Sequence, residues 1–437
     1  MITEDHVRQL APDAASAKAG TALAVLSKWK GLAKHTEAIW GYCQGSGKDP
    51  YFTRVDVQQW AFQCTCPSRK FPCKHGIALI LLWVRQPNQF SSQEMPSVVS
   101  EWIQKRRQKE QAPAEKNPTE KSKNTSDAST KRSEARERSV RDGILELRQW
   151  IADLMRTGMM HLPSQAGSFH ENMAARLVDA KAPGLAAMMR QVGEVNVFED
   201  RWPLQLSKHL SKIYLITESF LKEDQQSPLF RQEVRQLIGW NTSKEDVLTG
   251  EAHRDEWLVM ARRMEEQQEM NAEYIWLYGR NKARMALVLN FYFGAQRPLH
   301  SLVPGMAINA ELCYYSSLMP LRALIKEPYT PTSFFSPAGL SDLEDAAGQI
   351  AQQMAVFPFT NRIPLLLKEV QLIRIQKKWH VRDAGNRILP LCNDPEECWK
   401  VLAWSGGASM NALVLFIQGQ WRLESVWNTS EIISCWT

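Results

Sequence analysis

Residues 64–75 read Cys64-Thr65-Cys66-Pro67-Ser68-Arg69-Lys70-Phe71-Pro72-Cys73-Lys74-His75. Three thiols and an imidazole fall into two close pairs, each pair separated by a single residue, so each can turn back onto one ion. Zinc prefers four tetrahedral nitrogen and sulfur donors, and a complete Cys₃His shell is a structural site with no open position for water. Pro67 follows the first pair and Pro72 precedes the second, giving both knuckles rigid punctuation. The chain has 8 cysteines in 437 residues, and a cluster of this density at ligand spacing points to metal rather than coincidence. Cys64, Cys66, Cys73 and His75 are the expected ligands of one structural Zn²⁺.

Working outward, Gly76 to Val84 is an unbroken apolar run that fits one buried helix opened by Cys73-Lys74-His75. Upstream the pattern is strand. Trp40 to Cys43 leads to a turn at Gly45-Ser46-Gly47. A strand from Tyr51 to Val57 follows, with Tyr51, Thr53, Val55 and Val57 on one face, then a third strand, Trp60 to Gln63. Residues 3–40 read as helical, with a restart near Ala14 and a break at Gly31. A small sheet and one helix have too little core to stand alone, so metal is expected to hold them.

These residues resemble the SWIM zinc finger. The wider frame is similar to stand-alone bacterial SWIM proteins: Ala11-Pro12-Asp13, then Trp40-Gly41-Tyr42-Cys43-Gln44-Gly45-Ser46-Gly47, then Cys66-Pro67-Ser68-Arg69-Lys70-Phe71-Pro72-Cys73-Lys74-His75. The match is close up to Arg85 and looser beyond it. The resemblance implies a zinc-binding module that contacts protein or DNA, with no catalytic residues. It also suggests companions of the MoxR-type AAA ATPase and von Willebrand A-type classes.

The net charge of +6 is concentrated between Lys105 and Asp142, where 12 Lys/Arg face 7 Asp/Glu. The folded parts are therefore near neutral, which is weak support for nucleic-acid binding. No stretch approaches the ~20 apolar residues of a membrane span. The N-terminus lacks a secretory pattern, and clustered free thiols suit the cytoplasm.

Residues 105–140 carry almost no large apolar side chains and are expected to be a disordered charged linker. Helical spacing resumes with Ile144, Leu147, Trp150, Ile151 and Leu154, and helices follow near 171–191 and 202–222. From Trp257 the period becomes two. Strands are expected at 257–264, 274–278, 286–293, 307–315, 368–376, 379–382, 387–391, 411–417 and 421–427, with helices at 341–356 and 395–404. The fold class is α+β. Its parts are an N-terminal helical segment with the first finger strand at 1–50, the finger at 51–86 and the linker at 105–140. A helical subdomain at 141–250 and a β-rich subdomain with an antiparallel sheet at 251–437 complete it, with the linker tethering the finger flexibly to them.

Other chemistry is thinly signalled. Gly45-Ser46-Gly47-Lys48 lacks the Ser or Thr and the following helix of a phosphate loop. Cys392, Cys398 and Cys435 read as small buried cysteines near a helix cap at Asn393 or Asp394. His161 and His170 have no ligand spacing. Gly-x-Ser-x-Gly, His-Glu-x-x-His and nucleotide-loop patterns are missing, so an enzyme is not expected. Two functions remain. One is a protein–protein adaptor. The other is DNA or RNA binding, with Arg69, Lys70 and Lys74 touching phosphates. Neither a membrane nor a small-molecule substrate is expected as a partner.

Overall fold

The computed structural model describes residues 4, 7, 10–11, 14–44, 49–58, 60–68, 70, 72–111, 126–159, 170–267, 270–293, 302–429 and 431–435. It is mixed helix and sheet, as the α+β expectation holds. The first unit is helix α1 (Ala14–Leu23), strands β1 (Trp29–Lys34), β2 (Ala38–Cys43), β3 (Tyr51–Asp56) and β4 (Ala61–Cys64), helix α2 (Lys74–Arg85) and the short strand β5 (Ser91–Ser92). The sheet order is β4-β3-β2-β1-β5. Helix α3 (Ser97–Gln111) covers part of its outer face, where Ala33, Ala38, Trp40, Val99 and Ile103 form one buried cluster.

Residues 29–34 correct the helical reading of 3–40. They form strand because pairing with β2 buries Trp29 and Ala33 on opposite faces. Gly31 makes this possible with φ +59° at a register shift between Lys30 and Ala33, a conformation that costs glycine little. At Gly20 a Cβ would lie 2.6 Å from Ile77 Cγ2, so α1 and α2 approach with no room for a side chain.

A helical bundle follows: α4 (Ser126–Thr157), α5 (Glu171–Asp179), α6 (Pro183–Gly193), α7 (Trp202–Leu221) and α8 (Pro228–Ile238), with the short α9 (Lys244–Leu248) after it. Its core holds Val140, Ile144, Leu147, Leu177, Leu185, Met189, Leu210, Ile213 and Phe220. The linker expectation needs correcting here. Residues 105–111 complete α3 and 126–140 begin α4, while 112–125 lie outside the described residues. Composition missed the helical start because polar contacts hold it. Glu137 pairs with Arg235 at 2.9 Å, and the Arg136 guanidinium sits 4.8 Å from the Trp240 ring centre.

The C-terminal part contains two sheets rather than one. The first, of order β10-β9-β6-β7-β8, uses β6 (Ala252–Gln267), β7 (Met270–Gly279), β8 (Met285–Phe293), β9 (Ala307–Tyr314) and β10 (Ala323–Thr332). Asp255 fastens its β7–β8 hairpin by accepting from the backbone N–H of Asn281 and Lys282 and from the Asn281 amide. The second, of order β13-β12-β11-β14-β15-β16, uses β11 (Arg362–Ile375), β12 (Lys378–Arg382), β13 (Ile388–Pro390), β14 (Met410–Ile417), β15 (Gln420–Trp427) and β16 (Ile432–Ser434). Helices α10 (Leu343–Val356) and α11 (Pro395–Ser405) lie on it through Leu343, Ala346, Ile350, Cys398 and Val401.

Alternation along the strands dictates how these layers stack. In β6 and β7, Trp257, Val259, Ile275 and Leu277 share one buried cluster with Ile77, Leu79, Ile80 and Leu81 of α2. Their neighbours Leu258, Met260, Trp276 and Tyr278 belong to another cluster with Leu366, Leu413, Leu415 and Trp427 of the last sheet. The order is therefore finger, sheet, sheet, helices. The flexible tether between finger and C-terminal region is corrected by this shared core. Helix α2 is apolar nearly all round because it is buried nearly all round.

The bundle joins the stack through Phe230 against Phe357, 5.4 Å between ring centres, and through Glu233. Glu233 accepts from Ser317 Oγ and from the Leu318 N–H, while its second carboxylate oxygen is buried without a donor. Burial pushes its pKa up, against those two hydrogen bonds. A carboxyl whose folded pKa is raised contributes its full stability below the unfolded value of about 4.3, and that contribution is lost as pH rises through the folded value. Glu233→Gln is therefore expected to melt at or above wild type at pH 7.5, with the difference closing toward pH 4. A variant that melts lower at pH 7.5 and not at pH 4 would contradict this.

Candidate metal centre

Strand β4 delivers Cys64, the turn after it delivers Cys66, and the first turn of α2 delivers Cys73 and His75. The donor atoms of all four lie within 4.8 Å of one another. A tetrahedral shell with Zn–S near 2.3 Å needs sulfur atoms about 3.8 Å apart, so the group fits one ion with small adjustments. Among the described residues it is the one gathering of three or more such side chains.

Each thiol is oriented by the backbone. The N–H of Cys66 donates to Cys64, that of Ser68 to Cys66 and that of Gly76 to Cys73. Cys73 is the N-cap residue of α2, where the helix end favours negative charge. Thr53, fully buried and opposite Cys64 in the β3–β4 ladder, donates its hydroxyl to the Cys64 sulfur at 3.2 Å. The imidazole Nδ1 of His75 lies 3.7 Å from that sulfur, which selects Nδ1 as the donor atom. The Tyr51 ring packs against the imidazole with centres 5.0 Å apart.

Electrostatically the site favours a thiolate at Cys64. A hydrogen bond from Cys73 is the main cause of its lowered pKa, with His75 and Thr53 adding to it against burial. The same bond, with burial, pushes Cys73 up, and burial pushes Cys66 up. A bound divalent ion supplies the charge that lets all three ionise, leaving a formal charge near −1. The donor set, its spacing and its surrounding hydrogen bonds fit one structural Zn²⁺.

All four expected ligands thus come together. Lys70 and Lys74 are exposed beside them, and Arg69 lies outside the described residues. Thr53 and Tyr51 were missed as supports, although strand alternation puts both on the face that carries Val55. Cys43, at the end of β2, is buried nearby and its thiol is pushed up to about 11, chiefly by burial. Cys398 and Cys435 are buried in the core of the last sheet, and Cys392 is exposed. Asn393, buried between them, bonds Glu397 and both backbone groups of Leu423. His170 is the N-cap residue of α5, while His161 and the turn at 45–48 lie outside the described residues.

Two family models match the chain. One, described as the SWIM zinc finger, covers residues 55–83, which contain all four ligands. The other, described as a SWIM-associated four-helix bundle domain, covers residues 135–238, the span from α4 to α8. A search of curated proteins returns no match. Among the described residues no helix is long and apolar enough to cross a membrane.

Proposed function

Taking the chain as a SWIM zinc finger protein that carries the associated bundle, we propose that it is a cytoplasmic adaptor joining protein partners. The observation that carries this reading is a shell of four protein ligands, two from β4 and its following turn and two from the start of α2, a helix embedded in the common core. A filled shell leaves no place for a reacting water, so the metal serves to fix surfaces rather than to do chemistry. We accordingly read a binding protein and not an enzyme. The resemblance to stand-alone SWIM proteins points to a partner of the MoxR-type AAA ATPase or von Willebrand A-type class.

The test is gentle affinity purification of the tagged full chain, divided into nuclease-treated and untreated halves. A stoichiometric protein that survives nuclease is the expected result. Nucleic acid that co-elutes and carries any protein away when digested would overturn the adaptor reading.

A second reading has one observation in its favour. Lys30, Tyr42 and Phe52 are neighbours across β1, β2 and β3 on the outer sheet face, with Phe52 at the border of the part that α3 covers. Tyr42 is 43% exposed, and its ring centre is 4.8 Å from that of Phe52. Aromatic rings beside cations can stack bases while Lys30, Lys70 and Lys74 meet phosphates. If nucleic acid binds there, affinity for a single-stranded oligonucleotide falls steeply with salt. It also weakens in Tyr42→Ala and Lys70→Glu. Unchanged affinity in both variants removes this reading.

A further inference from the structure

The bundle carries a groove of about 400 Å³ that lies far from the zinc ligands in sequence. Helix α8 forms one wall. Its Glu233, Val234 and Ile238 point into the core, leaving Arg231, Gln232, Arg235 and Gln236 to line the groove. The turn through Trp240, Asn241 and Thr242 forms the other wall.

The two arginines differ in what they already hold. Arg235 is committed. Its guanidinium bonds Glu223 at 2.8 Å and Glu137 at 2.9 Å, and lies 5.1 Å from the Trp240 ring centre. The carboxylate of Glu223 is the main cause of its raised pKa. Trp240 is held in turn by Phe220, with centres 5.7 Å apart, and by Arg136. Arg231 stands one turn earlier on the same helix face. Among the described residues no carboxylate pairs with it, and its Nε–H is closed off from solvent without an acceptor. That sealed Nε–H is out of reach of an incoming ligand, but the two terminal nitrogens of Arg231 have no carboxylate partner among the described residues and form a fork shaped for one. The groove thus has a rigid aromatic and ionic floor, amides from Gln232 and Asn241, and one uncommitted cation.

We propose that this groove docks a carboxylate-bearing peptide segment of a partner protein. Arg231 takes the carboxylate through two N–H bonds, and Trp240 carries neighbouring apolar atoms. The inference rests on the adaptor reading and names the chemistry of its partner. The chain's own residues 112–125 are a poor occupant by charge, with Lys116, Lys121 and Lys123 against Glu115 and Glu120.

The experiment selects binders from a random nonapeptide display library on the immobilised, zinc-loaded full chain. Labelled winners are then titrated by anisotropy against wild type, Arg231→Glu and Arg231→Gln. Winners rich in Asp and Glu are expected, with affinity reduced about tenfold or more in Arg231→Glu and about tenfold in Arg231→Gln. Arg231→Gln carries the test if the charge reversal lowers the melting temperature. No enrichment of acidic residues, or winners held equally well by both variants, overturns the proposal. Co-purification separates it from its premise. A partner retained by Arg231→Glu leaves the adaptor standing without the groove. Acidic peptides that need Arg231, with no partner co-purifying, leave the groove standing without the adaptor.

Discussion

Stripping zinc with a strong chelator, or replacing Cys73 with serine, is expected to loosen the first C-terminal sheet as well as the finger. Zinc affinity in a small module is folding free energy, on the order of 10 kcal/mol where it has been measured in finger peptides. Cys73 and His75 tie the start of α2 to the ion, so removing the ion frees that end of the helix, although serine at position 73 can still cap it. Residues Ile77 to Leu82 of α2 are at most 1% exposed. They share a cluster with Trp257, Val259, Ile275, Leu277 and Ile308. Once α2 loosens, the apolar face of that sheet meets water, at about 25 cal/mol for each Å² uncovered. The bundle has its own core and is expected to keep its helices. Hydrogen exchange by mass spectrometry, with and without chelator, reads all three regions at once. Joint loss of protection in 14–92 and in β6 to β10, with 133–157 and 171–238 retained, is the predicted pattern. Loss confined to 14–92 would mean that the finger folds independently and that the shared cluster contributes little.

The second large effect is approached from the opposite side of the same core. Trp257 is 1% exposed, and its indole N–H donates to the Ala310 carbonyl at 3.1 Å. Truncating a buried tryptophan to alanine leaves a large cavity and costs about 3–5 kcal/mol. It also leaves the Ala310 carbonyl short of that donor, which adds to the cost. Trp257 has no ligand atom at the zinc site, yet Trp257→Ala is expected to speed zinc release to a coloured chelator, because the helix that carries Cys73 and His75 loses backing. A destabilised variant with unchanged release kinetics would show that the finger does not feel the sheet. The two experiments test one coupling from both ends.

The zinc ligands were legible because the chemistry is local. Four donors within twelve residues, with prolines at both knuckles, leave few other readings, and all four meet in space. The strands on either side were legible for a similar reason. A period of two in Tyr51, Thr53 and Val55, or in Ile275 and Leu277, is a statement about one face of one strand. Helix α2 was legible from its apolar run. These are properties of segments of four to twelve residues, and the backbone periods of 2.0 and 3.6 residues read them directly.

What was missed depends on distant partners. Residues 29–34 become strand because β2 is there to pair with them and because Gly31 accepts a left-handed turn. Residues 133–140 continue as helix because Arg235 and Trp240, about a hundred positions on, receive Glu137 and Arg136. Low apolar content argues for disorder only when polar side chains lack such partners, and composition does not report partners.

By itself the sequence determined the metal, its ligands, the finger's local elements and most strand positions. Each follows from donor chemistry or backbone geometry within a short window. Only the tertiary structure decided that the finger and the C-terminal sheet share a core, that the strands divide into two stacked sheets, and that Arg231 is left with a donor to offer. Those outcomes turn on which of many apolar faces meet and which charges are already paired, and both are set by residues hundreds of positions apart.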